Sequence, residues 1–321
     1  MNIEILKERA DIIRQTRAFF DGKNYLETDT PLLSPDLIPE SCLEVFETTR
    51  LPPHGSKNKS EQYYLIPSPE IWMKKLISEH RQNIYQICKC FRNGESSGHQ
   101  HSPEFTMLEY YTMNADYMDS LAITEDLFNF LLKKYPGKND LRPPFIKISM
   151  EEAFFKWAGF DLYKKASING GMEEEALRLG LQVQELSVPV LYDLIFIHAV
   201  EPNLPMDSPV ALIDYPAFVP CLAKKHKNGL SVERWELYVK KLELANCFSE
   251  ERDAENVKEF FINEQEEKQK KALVKHKIDE EYWKNFLDFP ESSGVALGLD
   301  RLIMAITGRS KIDEVLPFPM Q

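Results

Sequence analysis

Ile84-Tyr85-Gln86-Ile87-Cys88-Lys89-Cys90-Phe91 and Glu104-Phe105-Thr106-Met107-Leu108-Glu109-Tyr110-Tyr111-Thr112 are two apolar runs separated by a polar, glycine-containing loop, 93–102. Their length and β-branched and aromatic content read as two buried strands. Strand alternation after Phe105 puts Met107, Glu109 and Tyr111 on its side. Arg92 leaves the first strand and Phe105 enters the second. A guanidinium clamps phosphate oxygens bidentately, and an aromatic ring offers a flat face to a base. Polar groups on an apolar strand face are costly to bury without a ligand. An ordinary surface arginine on a β-hairpin fits the same spacing, so these residues alone leave both readings open.

Working outward, residues 3–21 read as a helix, because Ile5/Leu6, Ile12/Ile13 and Phe19/Phe20 recur at seven-residue intervals and form one stripe. A short strand over 25–28 ends at Pro31. Residues 35–60 read as a loop or open hairpin, and 69–78 as a short helix with Ser68 as its N-cap and Glu70 in its first turn. Helical patterns follow at 117–135 and 150–158, with an all-helical stretch at 171–202. Strands are expected at 210–215 and 234–239, and a highly charged helix at 253–276. A strand at 295–299 runs into a helix at 300–307. Strands in the first and last thirds with helices between them predict an α+β domain, an antiparallel sheet flanked by helices.

Net charge of −12 argues against a general nucleic-acid binder, whose surface would be basic. The basic clusters Lys224-Lys225-His226-Lys227 and Lys268, Lys270, Lys271 read as solvated surface. Five cysteines without C-x-x-C spacing read as buried free thiols, and the histidines show no zinc spacing. No apolar run reaches membrane-helix length, and residues 1–23 lack a signal-peptide pattern, so a cytoplasmic protein with no membrane partner is expected.

Two further segments carry chemistry. In Gly294-Val295-Ala296-Leu297-Gly298-Leu299-Asp300-Arg301-Leu302, small residues at 294, 296 and 298 share one strand face and permit close approach of a ligand. Arg301 opens the following helix, where positive charge is unfavourable unless an anion or π-face lies nearby. In Arg234-Trp235-Glu236-Leu237-Tyr238-Val239-Lys240-Lys241-Leu242-Glu243-Leu244-Ala245-Asn246-Cys247-Phe248-Ser249-Glu250, a turn near Val239-Lys240 would set Glu236 opposite Glu243. Like charges facing each other destabilise a sheet, and a divalent cation would reverse the sign. Taken singly, helix-on-strand packing and two solvated glutamates are the better readings of these segments.

Together the three segments resemble motifs 2 and 3, and the acidic strands between them, of class II aminoacyl-tRNA synthetases, with the lysyl subgroup the most similar. The resemblance rests on F-R-N, P-E-F-T-M-L-E-x-Y, R-x-E-x-x-x-x-x-x-E-x-x-N-x-F-x-E and G-x-D-R-L-x-M, and on the ending 312–319. It runs over nearly the whole chain and is weakest at about 145–205, read as a helical insertion in a catalytic domain spanning 1–321. Lysyl-tRNA synthetases carry an N-terminal OB-fold that reads the anticodon, and this chain begins at the helix before motif 1. In that respect it resembles the elongation factor P–(R)-β-lysine ligase family. Ser68, where the synthetases have alanine, and Ala296, where they have glycine, point the same way.

The resemblance implies ATP-dependent formation of an aminoacyl-adenylate from (R)-β-lysine and its transfer to a lysine of elongation factor P. It argues against tRNA as partner. A truncated lysyl-tRNA synthetase-like enzyme, or a catalytically degraded paralogue acting as a binding protein, fits the same motifs. By position, Arg92 and Arg301 would be catalytic, Arg92 on the α-phosphate and Arg301 sandwiching adenine with Phe105. Asn93, Glu95, His101, Ser102, Glu243, Leu244 and Gly298 would complete the ATP site. Glu236 and Glu243 would hold Mg²⁺. Ser68, Glu70, Glu109, Tyr111, Asn246, Phe248, Glu250 and Ala296 would line the substrate site, with Glu70 on the amine near the reacting end and Glu250, Tyr111 and Glu109 on the distal ammonium. Motif 1, which 25–31 resembles, implies a homodimer. The loop after Asn93 runs one residue longer than the family's, Ser102 replaces asparagine and Cys247 a common glycine. These departures bear on specificity and activity.

Overall fold

A computed structural model describes residues 2–94, 98–136 and 139–319. The chain divides into two compact units, one built from 1–115 and 251–321, the other from 116–250.

In the first unit the helix Ile3–Gly22 is opened by Asn2, whose side chain accepts from the Glu4 N–H. The strand Leu26–Glu27 runs parallel to Ile84–Phe91, which pairs antiparallel with Glu104–Met113, and that strand pairs antiparallel with Ser292–Gly298. The register sorts side chains onto two faces. Tyr85, Tyr110 and Val295 stand side by side on one, as do Ile87, Leu108 and Leu297. Phe20 of the first helix packs on this face, stacked on Tyr85 with centroids 4.9 Å apart and 4.9 Å from Tyr110. The opposite face carries Ile84, Tyr111 and Gly294, then Gln86, Glu109 and Ala296, then Cys88, Met107 and Gly298, and finally Cys90 beside Phe105. One face is therefore core, and the other bears the chemistry.

The helix Leu299–Thr307 follows the last of these strands without a loop. Asp300 at its start is 2% exposed in its side chain and pairs at 2.6 Å with Arg9, itself 10% exposed. Its other oxygen accepts the Thr106 N–H at 2.7 Å, and Arg9 also donates to the Thr106 hydroxyl at 2.9 Å. Each charge thus gains a partner and further hydrogen bonds, which burial of an ion pair demands.

The expected loop at 35–60 contains a strand, Glu47–Arg50, that pairs with Glu61–Leu65; Leu33–Ser34 completes a small three-stranded sheet. The helix at 70 begins at Glu70 and ends at His80, and its N-cap is Pro69 with no side-chain cap bond, so Ser68 does not fill the capping role. The charged helix spans Ala254–Lys271, capped by Asp253, and stops short of 276. There the Glu44 carboxylate takes the Leu273 and Val274 N–H groups. Lys268 on this helix is not solvated surface. It is 1% exposed and donates to the carbonyls of Glu40, at 2.8 Å, and Leu43.

In the second unit, Asp116 forms a capping box for the helix Tyr117–Lys134. The strand Ile146–Ser149 runs parallel to Val210–Ile213, which pairs antiparallel with Arg234–Val239, and that strand with Leu242–Ser249. Each unit's sheet is thus antiparallel apart from one parallel pair. A parallel pair needs a long crossover connection. Here it is supplied by Met150–Ala153 continuing as a π-turn over Phe154–Ala158, then Leu162–Ala166, Gly171–Arg178 and Val188–Ile195. These helices bury Phe154, Tyr192, Ile195 and Leu162 in a core with Val210 and Leu212.

All five cysteines are free; Cys90 and Cys247 are buried, Cys88 and Cys221 half-buried, and Cys42 is exposed. Among the described residues, no helix is long and apolar enough to cross a membrane.

The Arg9–Asp300 pair yields a stability prediction. Arg9→Met leaves the Asp300 carboxylate buried without its cation and is expected to cost about 3–5 kcal/mol. Urea denaturation measures it, and a loss within experimental error of zero would show that the pair does not anchor the helix.

Candidate active site

On the chemistry-bearing face of the first unit, Arg92 lies just past the first strand, its N–H bonded to the Pro103 carbonyl at 3.0 Å. Its guanidinium carbon is 5.3 Å from the Phe105 ring centroid, so the two residues expected to meet a nucleotide meet each other here. Asn93 forms an isolated antiparallel bridge with Glu44: its N–H bonds to the Glu44 carbonyl, and its side-chain oxygen accepts the Gly94 N–H at 2.9 Å. Glu95 lies outside the described residues. Arg301 reaches the 98–101 turn, with Nε 3.3 Å from the Gln100 carbonyl and Nη2 3.5 Å from Nδ1 of His101. Ser102 is buried.

Glu109 sits between Gln86 and Ala296 on the neighbouring strands. It is 2% exposed, and one oxygen accepts the Tyr111 hydroxyl at 2.8 Å while the other is buried without a hydrogen-bond partner. Burial first, and then the charge of Glu70, push its carboxyl well above the usual range. Glu70 pairs at 2.5 Å with Lys74, one turn along its helix and fully buried. Gly294, Ala296 and Gly298 leave the strand beside Glu109 and Met107 low, as a ligand resting on backbone would require.

Sequence reasoning missed Glu40 and Lys74. The i, i+4 spacing of Glu70 and Lys74 is a legible signal; Glu40 gives none, because it lies in a loop. Lys268 holds that loop by two carbonyls, Glu264 accepts the Ser41 N–H at 2.7 Å, and Glu44 bridges to Asn93. Burial and then the Glu70 charge raise the Glu40 carboxyl to about 7, against the opposing pull of Arg92 and Lys268.

In the second unit the hairpin turns at Lys240-Lys241, both in the left-handed region with φ of 52° and 64°. Two successive residues of this kind make a tight two-residue turn that matches strand twist. Val239 then faces Leu242, and Tyr238 faces Glu243. A bulge between Glu243 and Ala245 shifts the register, so Glu236 faces Asn246 and not Glu243. The expected confrontation of Glu236 with Glu243 is therefore corrected. The turn lies one residue later, and the bulge absorbs Leu244, which is buried. The bulge also has a constructive effect. Glu243 and Asn246 are three residues apart and would otherwise point to opposite faces. Paired with Tyr238 and Glu236, both now share the face of Arg234, Glu236 and Phe248. Trp235, Leu237, Ala245 and Cys247 fill the other face as core. Glu250 is buried, its backbone bridged to Ala223.

Glu236 is held from three sides: by Arg234 at 2.6 Å on one oxygen and by the hydroxyls of Tyr215 at 2.6 Å and Tyr238 at 2.8 Å on the other. Among the described residues no three His, Cys, Asp or Glu side chains form a metal cage. Two carboxylates on one hairpin face still fit Mg²⁺, which takes one or two carboxylates and completes its shell with water and phosphate oxygens. Separately, the Lys224–Lys227 segment lines a cavity of about 470 Å³ with Asp214, Ser231 and Glu233. There Lys224 pairs with Glu233 and His226 with Asp214, each at 3.0 Å.

These features have a counterpart among known proteins. The profile of the family tRNA synthetases class II (D, K and N) matches residues 2–321, and the chain belongs to that family. Within it, the chain is 35% identical over 323 residues to the elongation factor P–(R)-β-lysine ligase of Avibacterium paragallinarum, covering 100% of this chain and 96% of that protein. It is 33% identical to the ligase of the same name from Pasteurella multocida (strain Pm70), over 100% of this chain and 96% of the relative. Its identity to that of Buchnera aphidicola subsp. Acyrthosiphon pisum (strain APS) is 35%, over 99% and 96%.

Glu40 generates a pH prediction. An ordinary glutamate titrates near about 4.3, so from there to about 7 the folded chain binds more protons at Glu40 than the unfolded chain. Stability from this group is greatest below that window and falls as pH rises through it. Glu40→Gln removes the titration. Its stability gain over the wild type is expected to be larger near about pH 8 than near about pH 5, by on the order of 2 kcal/mol. Urea denaturation at both values checks this, and an equal gain at both would exclude a raised carboxyl.

Proposed function

We propose that the chain is an ATP-dependent ligase that activates (R)-β-lysine as its adenylate and transfers the β-lysyl group to a lysine of elongation factor P. The observation that carries the reading is the cross-strand pair of Ala296 with the buried Glu109, flanked by Gly294 and Gly298. It sets the Ala296 methyl beside that buried carboxyl on a strand whose neighbouring positions on the same face, Gly294 and Gly298, carry no side chain. A β-amino acid carries its amine one carbon farther from the carboxylate than an α-amino acid, so that methyl excludes the α-amine and spares the β-amine. Full-length similarity to relatives bearing the ligase name supports the same reading.

No enzyme nucleophile is required. A carboxylate oxygen of the amino acid attacks the α-phosphorus of ATP, the bond to pyrophosphate breaks, and the acceptor amine then attacks the acyl carbon and releases AMP. Positioning and charge stabilisation supply the catalysis. Arg92 stabilises the α-phosphate, Phe105 and Arg301 hold the adenine, and Asn93, His101, Ser102, Leu244 and Gly298 are assigned as further ATP contacts. Glu243 and Glu236 hold Mg²⁺, which neutralises phosphate charge. Glu70 receives the amine near the reacting end. Glu109, Tyr111 and Glu250 receive the distal ammonium, with Ser68, Asn246 and Phe248 completing the substrate contacts. A homodimer is part of this proposal.

Arg92→Ala and Arg301→Ala are each expected to lower ATP–pyrophosphate exchange by about 10²–10³ with the fold intact; near-normal exchange in either would refute its role. Ala296→Gly is expected to raise exchange with α-lysine relative to (R)-β-lysine by about 10–200-fold in kcat/KM, the range of one methylene-sized contact. An unchanged ratio would remove the methyl as the discriminating element.

A further inference from the structure

Arg234 opens its strand on the face it shares with Glu236, Asn246 and Phe248. Its side chain is 15% exposed, and its guanidinium carbon stands 4.6 Å from the Tyr215 ring centroid. Nη2 donates to one oxygen of Glu236 at 2.6 Å, and Nε donates to the side-chain oxygen of Asn246 at 3.1 Å. Because Tyr215 and Tyr238 both donate to the second oxygen of Glu236, that carboxylate is fixed in rotation as well as in place.

A guanidinium is a donor at every nitrogen and accepts nothing. The atom of Asn246 that faces it must therefore be Oδ1, which settles the amide's orientation. The remaining polar atom, Nδ2, is a donor. It can serve a carboxylate oxygen and cannot serve an ammonium. We propose that Arg234 is a positioning residue: by holding Oδ1 of Asn246 it turns the amide to present Nδ2 to the carboxylate of the amino-acid substrate, while Glu236 keeps the guanidinium's own plane in register. This rests on the reading of Asn246 as a substrate contact. The arrangement needs a planar fork, since one cation serves two acceptors on adjacent strands at fixed angles. A lysine ammonium is a point charge on a flexible stem and replaces the pair with Glu236 but not the pair with Asn246.

Two variants separate the roles, with ATP–pyrophosphate exchange and thermal unfolding as readouts. Arg234→Lys is expected to unfold near the wild-type temperature and to raise the KM for (R)-β-lysine about 10- to 100-fold, the range of one charge-supported hydrogen bond, while the KM for ATP stays within about twofold. Asn246→Asp keeps an acceptor for Arg234 and loses the donor, so it too is expected to fold and to raise the same KM at least as far. A wild-type KM for (R)-β-lysine in either variant overturns the inference. So does a loss confined to kcat and unfolding temperature, which is what packing alone would produce. A wild type without exchange overturns the functional reading and this inference with it; an active wild type with unmoved variants overturns only the inference.

Discussion

Asp300 carries a buried negative charge that the first unit is organised to satisfy. Arg9 reaches it from the first helix and Thr106 gives it a backbone N–H from the second long strand. Phe105 precedes Thr106, and Arg301 follows Asp300. One ion pair therefore fixes the two side chains that the proposed function assigns to the adenine, and it does so from the core face, away from the ligand. Its cost of desolvation is met because each partner also has a second hydrogen bond to Thr106. Helix-on-strand packing alone would hold the helix but leave its rotation less defined.

Strand alternation governs the rest. In the first unit it divides an unbroken register into the Phe20–Tyr85–Tyr110 core on one side and the Glu109–Ala296 pair on the other. In the second unit strict alternation would spoil the constellation, and the bulge at Leu244 repairs it by bringing Glu243 and Asn246 to the face of Glu236. The odd spacing of those two residues in the sequence is the imprint of that bulge. The charge balance of the face is internal as well, since Arg234 sits against Glu236 where the sequence had suggested two opposed glutamates.

The long elements were legible because their periodicity is strong. The helix at 3–22, the strands Ile84–Phe91 and Arg234–Val239 and the strand-to-helix passage at 298–299 lie within a residue or a few of expectation. Register was not legible. A turn displaced by one residue, together with a bulge, changed the partner of Glu236, and nothing in the sequence marks two lysines as left-handed turn residues. The parallel pairs escaped notice because each closes over more than fifty residues. Glu40 and Lys268 escaped because their significance is tertiary: a loop carboxyl and a helix lysine acquire it only when the loop is drawn onto the helix. The motif residues themselves were identified by resemblance, which specifies residue identity more sharply than it specifies geometry.

Transfer of a β-lysyl group to a protein acceptor can be measured on the acceptor itself. Its most direct test is intact-mass analysis of elongation factor P after incubation with the purified protein, ATP, Mg²⁺ and either (R)-β-lysine or α-lysine. The expected result is a mass increase of one β-lysyl residue on a single lysine, dependent on ATP and strongly favoured with (R)-β-lysine. An unmodified factor under conditions where the same preparation charges tRNA with α-lysine would contradict it.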